Sequence, residues 1–327
     1  MAEKITFHFE GGLSDRHRMN FYEASRFQYA AARLMVKLAQ FRREGKFVQN
    51  ITDGSNFNIV ITSHAEGSFD INTEAPEAEA SDKKFVNLTL GDMLSYVSER
   101  LLQKTDEKDV KSSIQANAQV SSSISVSEGE DEDQLDDILE QLRADPELLG
   151  ALHSETREVV ERRLAEMERQ AKLDAAQSEI AKIDAAREQK LISMSAPLVR
   201  EMAVALRRSA KTLKVVSTAA GKGSSVVYLS QQMASDIEDT KVDREITAVY
   251  CDIVQYNKDY GSGKMRLLDR SGVFGFSIPS DLKHSLQSKI VSGLDSEEMY
   301  LQTYFVRDKA RALKRLIVVG VLPIPVA

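Results

Sequence analysis

Apolar positions along the chain change period several times, and each change marks a predicted element. Ile5 to Phe9 alternates apolar and polar residues, the period of a half-buried strand, and Gly11-Gly12 ends it. Ala24, Phe27, Ala31, Leu34, Leu38 and Phe41 then recur at spacings of three and four. They share one face of a helix that runs to Gly45, a core or dimer-facing element. Asn20 and Glu23 have capping-box spacing at its start. Phe57 to Ser63 and Ser68 to Thr73 read as a hairpin across Ala65-Glu66-Gly67, and a helix after Thr89 turns Met93, Leu94, Val97, Leu101 and Leu102 inward. Residues 1–105 therefore predict a βαββα domain.

Periodicity then fades. Residues 106–134 are dominated by Ser, Asp, Glu, Gln and Lys, so burial cannot offset the entropy of ordering, and the segment predicts a disordered acidic linker. The apolar alternation around Ile124 and Val126 leaves a strand formed on binding as the other reading. Residues 135–194 predict a helical arm. Leu135, Ile138, Leu139 and Leu142 open it, and charge pairs such as Glu158-Arg162 and Arg162-Glu166 follow at i,i+4. Ala171-Lys172-Leu173-Asp174-Ala175-Ala176 recurs ten residues later as Ala181-Lys182-Ile183-Asp184-Ala185-Ala186. That period turns the two copies about 80° apart, which argues against a long parallel coiled coil. Ser195 and Pro197 mark a new helix start, and a hairpin flanks Gly221-Lys222-Gly223, giving a small middle domain over residues 195–242.

The C-terminal block, residues 243–327, reads as five strands with one helix between the third and fourth. The strands are Ile246 to Tyr256, Lys264 to Leu268, Val273 to Ile278, Glu298 to Val306 and Leu313 to Val321, and the helix opens at Ser280 and ends at Gly293. That order is the order of an OB-like five-stranded small β-barrel, although the count also suits an SH3-like barrel or an open sheet. The fold class expected is α+β and multidomain, with a long central helical region between the N-terminal βαββα domain and the barrel.

Composition changes this picture little. The net charge of −7 is concentrated: Glu128 to Glu140 holds eight acids and no base, and without them the chain stands at +1. An anionic partner is therefore compatible with the rest of the surface. One cysteine, Cys251, leaves no disulfide framework or cysteine metal site, in keeping with a reducing cytoplasm. No apolar run approaches the roughly 18 residues of a membrane span, and the N-terminus has no signal-peptide apolar core, so a non-membrane, cytoplasmic protein is expected.

Chemistry-bearing motifs are scarce. Gly221-Lys222-Gly223 and Gly261-Ser262-Gly263-Lys264 lack the spacing and following helix of a phosphate loop, and read as hairpin turns. His8, His17, His64, His153 and His284 show no metal-ligand spacing, and no cofactor is expected. His17 with Asp15, or His64 with Glu66, supplies the alternative, a hydrolase or nucleotide-processing enzyme. The barrel carries the stronger signal. OB-like modules bind through the face of strands two and three and the loops joining strands one to two and four to five. Those segments hold Lys258, Tyr260, Lys264 and Arg266, and Arg307, Lys309, Arg311, Lys314 and Arg315. Cations beside a stacking ring suit single-stranded nucleic acid. Phe274 and Phe276 share one strand face and read as barrel core.

The opening Ile5-Thr6-Phe7-His8-Phe9-Glu10-Gly11-Gly12, Tyr22-Glu23-Ala24-Ser25-Arg26, Gly67-Ser68-Phe69 and Arg208-Ser209-Ala210 resemble a bacterial family of unknown function. The resemblance implies an N-terminal α+β domain paired with a small C-terminal β module, and no activity. The function expected is a non-catalytic binding or regulatory protein: the barrel takes a ligand, and the N-terminal domain makes self-association or protein contacts. A further expectation pairs the acidic tract with the basic helix near Arg207 in autoinhibition.

Overall fold

The structure is a computed structural model and describes residues 3–47, 50–52, 56–62, 69–75, 84–116, 133–219, 221–269, 271–294 and 298–324. The turn expected at 65–67, His64, Glu66 and the alternation around Ile124 lie outside them. The chain is mixed α/β, and ten α-helices lie among the described residues. None of these helices is long and apolar enough to cross a membrane. Two compact units emerge, one of residues 1–103 with 169–327, the other of residues 104–168.

The larger unit begins with an antiparallel sheet. Strands β1 (Glu3–Glu10), β2 (Val60–Thr62) and β3 (Phe69–Ala75) are joined by β4 (Thr212–Ala219) and β5 (Lys222–Ser230), in the order β2-β3-β1-β4-β5. The hairpin expected in a separate middle domain therefore completes the N-terminal sheet. Ile71, Phe7, Val215 and Val227 form one cross-strand row, and all four are buried. Helix α1 (Phe21–Glu44) lies on that face, with the Phe27 ring edge-on to Phe7 and Phe9 at 5.2 and 4.9 Å. Asn20 caps α1 by accepting from the Tyr22 and Glu23 N–H groups, but the Glu23 carboxylate turns to Ser209 and leaves the capping box half made. Helix α2 (Leu90–Leu101) has both halves of its box, Thr89 and Asp92.

The smaller unit is helical. Helix α3 (Glu107–Gln115) stands within the segment expected to be a linker, and it is followed by α4 (Asp133–Ala144), α5 (Pro146–Ala151) and the first part of α6 (Ser154–Ala175). Val110, Ile114, Leu139, Leu142, Leu152 and Val160 are buried together. The expected i,i+4 pair Arg162–Glu166 is present at 3.4 Å.

The helical arm is not continuous. After α6 come the four-residue α7 (Gln177–Ile180) and then α8 (Ala185–Ala203). The second copy of the hexapeptide repeat falls at this break, where Asp184 accepts from the Arg187 N–H as an N-cap. Pro197 lies inside α8 instead of starting a helix. Helix α9 (Gln231–Asp239) and a short strand β6 (Thr240–Val242) lead to the C-terminal region.

There, β7 (Thr247–Asn257), β8 (Ser262–Leu267), β9 (Val273–Ser277), β10 (Met299–Asp308) and β11 (Leu313–Leu322) form a closed five-stranded barrel. β7, β8 and β9 make an antiparallel meander, β9 pairs parallel with β11, and β10 joins β11 back to β7. Helix α10 (Ser280–Ser292) lies between the third and fourth barrel strands and contributes Leu286 and Ile290 to the core. Ser280 does not cap it as expected; its N–H and hydroxyl both donate to Glu99 of α2. Phe276 is buried in the barrel and Phe274 packs against its core, as the strand pattern required.

Candidate functional site

The outward-facing positions of β7, β8 and β9 follow from strand register. Because side chains alternate, Tyr250, Asp252, Lys264, Arg266, Val273 and Gly275 share the outer surface, while Cys251, Met265 and Phe276 fill the core. Tyr250 pairs with Tyr300 of β10, and their rings stack at 4.4 Å with Tyr250 38% exposed. The next row carries Asp252, Arg266 and Val273, and the row beyond it carries Gln255, Lys264, Gly275 and Arg315. Rows two residues apart are separated by about 7 Å. A bulge at Val254, between the Ile253 and Gln255 pairings, turns an extra apolar side chain outward beside Lys264. The result is a face with aromatic, basic and open positions. A β-carbon on Gly275 would meet nothing within 4 Å.

The expected cations fare differently from one another. Arg266 pairs with Asp252 at 3.1 Å, Arg307 with Asp243 at 2.8 Å, and Lys309 with Asp239. Lys314 lies 3.8 Å from Asp308. Arg315 is half-buried and donates to the Leu101 carbonyl at 3.1 Å, and burial lowers its pKa to about 10. It anchors the barrel to α2 instead of facing solvent as a loop cation. Lys258, Lys264 and Arg311 are exposed and form no ion pair among the described residues. Tyr260, expected as the stacking ring, is 8% exposed because its turn folds back beneath Ile278, whose N–H donates to the Gly261 carbonyl. The two basic loops do not converge either. Lys258 belongs to the loop entering β8 near Ser277, and Arg311 to the loop entering β11 near the Val273 end of β9. The loops therefore flank the β8–β9 face at opposite ends.

The acid–base candidates are placed elsewhere. Asp15 accepts from the Gly11 N–H at 2.7 Å, and His17 ends a short 3-10 turn with φ of 54°, exposed. Among the described residues no group of three or more His, Cys, Asp or Glu is placed to hold a metal ion.

Sequence reasoning missed two features. One is the Tyr250–Tyr300 stack, since both tyrosines read as ordinary strand residues until their strands are paired. The other is a buried polar cluster. Arg100 of α2 binds Asp281 of α10 through two bonds of 2.9 and 2.7 Å and Glu188 of α8 at 2.9 Å, with its guanidinium 3.5 Å from the Tyr96 ring centroid. Tyr96 donates to Glu188 at 2.9 Å, and Arg169 pairs with Glu99 at 2.8 Å. Burial of charge on this scale is stable only when every group is matched. The cluster fixes α10, and so the barrel, against α2 and α8. Its sequence signal is Glu99-Arg100 on a helix whose other positions are largely apolar.

The opening strand with its Gly11-Gly12 turn, the start of α1 and Arg208-Ser209-Ala210 meet in space. Ser209 accepts from the Asn20 N–H and donates to Glu23, and its carbonyl accepts from the Ser14 N–H, tying the loop after Gly11-Gly12 to the start of α1. No family model, no curated protein and no solved structure matches this chain.

Proposed function

We infer that the chain is a non-catalytic binding protein whose C-terminal barrel is an OB-like module for single-stranded nucleic acid, with the N-terminal layer serving protein contacts. Support for the OB-like assignment is the strand order β7-β8-β9-β11-β10, closed through a parallel β9–β11 pair, with α10 between the third and fourth strands. The observation that carries the ligand reading is the Tyr250–Tyr300 stack, with Tyr250 exposed and Tyr300 half-buried, on the same outer face as Arg266 and Lys264. Bases stack on rings at about 1–3 kcal/mol each, and cations beside them neutralise phosphates. Arg266 is itself paired with Asp252, and Arg307, Lys309 and Lys314 also lie within ion-pair distance of acids. Binding is therefore weak and shallow in salt dependence, with two or three phosphates neutralised and a log–log slope of about −2.

The test is fluorescence anisotropy of a short oligothymidylate with the full chain at low salt. Micromolar binding is expected, weakened about tenfold by Tyr250→Ala and by Lys264→Glu. Absence of any anisotropy change at low salt removes the reading.

A further inference from the structure

The first half of α1 turns a surface to solvent that the fold itself does not use. Phe21 is 87% exposed, Tyr29 64% and Tyr22 61%. Large rings are more often buried, and three on one short stretch of helix form an interaction patch. Tyr22, Ser25, Tyr29 and Ala32 are all exposed and follow one another at spacings of three, four and three. That is the a and d spacing by which one helix packs along another. The core-facing side of α1 is separate and already occupied by Phe27, Ala31, Leu34 and Leu38. Ser25 and Ala32, at the d-like positions, leave room for a close neighbour, and the tyrosines at the a-like positions offer large, rigid contact area.

Charge decides which neighbour fits. A guanidinium follows each ring by four residues, Arg26 at 5.4 Å from the Tyr22 centroid and Arg33 at 5.3 Å from that of Tyr29. Both occupy e-like positions, which set partner choice in paired helices. Arg16 and Arg18 are exposed just before the helix, and the Ser209 bonds hold exposed Arg208 beside them. The acids nearby are engaged: Glu23 is buried against Ser209, and Glu201 pairs with Arg26. A second copy of this stripe would set arginine against arginine. We propose that residues 21–33 dock an acidic amphipathic helix of another polypeptide, its apolar seam against Tyr22 and Tyr29 and its carboxylates toward Arg33 and the exposed Arg16, Arg18 and Arg208. This deepens the protein-contact half of the proposed function and does not depend on the barrel's ligand. The footprint ends where α1 becomes buried on all sides, with even Lys37 and Gln40 enclosed. It is about 18 Å long, matched by three turns of partner, and so of micromolar affinity.

The experiment selects displayed random peptides on the full-length protein, with counter-selection on a Tyr22→Ala/Tyr29→Ala variant whose unaltered melting curve shows that it folds. Enriched peptides are expected to be acidic, with carboxylates and apolar residues at spacings of three and four, and to bind at least about tenfold more weakly to Arg33→Glu. The proposal is overturned by an absence of enrichment over the variant, or by enriched peptides without acidic bias. It is overturned equally if Tyr29→Ala dissolves a concentration-dependent dimer, which would make a second copy the occupant. Loss of oligothymidylate binding in the tyrosine variant, with barrel variants unaffected, would make nucleic acid the occupant. Because oligonucleotide binding is read against barrel substitutions and peptide binding against α1 substitutions, the two readings fail separately.

Discussion

Arg100 is almost fully buried between two carboxylates, Glu188 and Asp281. Replacing it with Met removes the cation that both acids pair with and leaves them buried without it, so Arg100→Met should cost about 3–5 kcal/mol in chemical denaturation. A change below about 1 kcal/mol would show that the cluster does not hold the barrel in place. His8 offers a pH-dependent counterpart. Its hydrogen bond to Glu10 at 2.8 Å, opposed by burial and reinforced by Asp70 at 2.5 Å, raises its pKa to about 9. A histidine raised in the folded state adds stability that is complete below its ordinary value of about 6.5 and is lost as pH climbs through 9. Its side chain is one-quarter exposed, so screening reduces the effect to about 1–2 kcal/mol. Denaturation midpoints of wild type and His8→Gln should therefore converge between pH 6.5 and 9, and parallel curves would contradict this. Cys251 is enclosed in the barrel, and burial pushes its thiol up to about 12. Iodoacetamide should leave it unmodified until denaturant opens the barrel. Glu10, two positions from His8, is a local partner, but Asp70, the carboxylates on Arg100 and most of the core around Cys251 lie tens or hundreds of positions away in the chain, so these environments are largely illegible from neighbouring residues.

At the level of elements, much was readable. Strand alternation placed β1 and the barrel strands, and the three–four spacing of Ala24 to Phe41 placed α1, because burial on one face imposes those periods directly. Where an element's end is governed by a side chain's choice of partner, the sequence was less informative: Glu23 and Ser280 each leave their local cap for a distant bond. Pro197 sits within α8, a tertiary override of its usual preference. The barrel's closeness of packing can be tested with two glycines on neighbouring strands. A β-carbon at Gly263 would lie 2.2 Å from the Gln255 carbonyl oxygen and 2.7 Å from the Phe276 ring, whereas at Gly275 it meets open space. Gly263→Ala should destabilise by about 1–3 kcal/mol in thermal or denaturant melts, while Gly275→Ala stays within about 0.5 kcal/mol. Equal effects would place these strands in a different register.

Across the whole molecule, local patterns indicated hairpin partners but gave no hint that distant strands of the N-terminal sheet pair. β1 lies beside β4, roughly two hundred residues away in sequence, and the alternating residues Leu213, Val215, Val227 and Leu229 could have served any sheet. A fragment of residues 1–105 lacks β4 and β5 and should show no cooperative melt by circular dichroism; a sigmoidal transition would contradict the sheet order. The barrel has a similar dependence. Tyr304, Val306 and Ile317 are buried on the outside of β10 and β11, and Arg315 reaches the Leu101 carbonyl, so binding experiments belong on the full chain. Of the candidate face, strand position in the sequence suggested Lys264 and Arg266, whereas Tyr260 folds inward and the Tyr250–Tyr300 pair, which meets only when the barrel closes, left no sequence signal. Photocrosslinking tests this placement most directly: full-length protein is irradiated with a short oligonucleotide carrying 4-thiothymidine, and the linked peptides are mapped by mass spectrometry. Adducts on β7, β8 or β10, centred on Tyr250 and Tyr300, are the predicted result, whereas adducts confined to the start of α1, or none at all, would contradict a nucleic-acid-binding barrel.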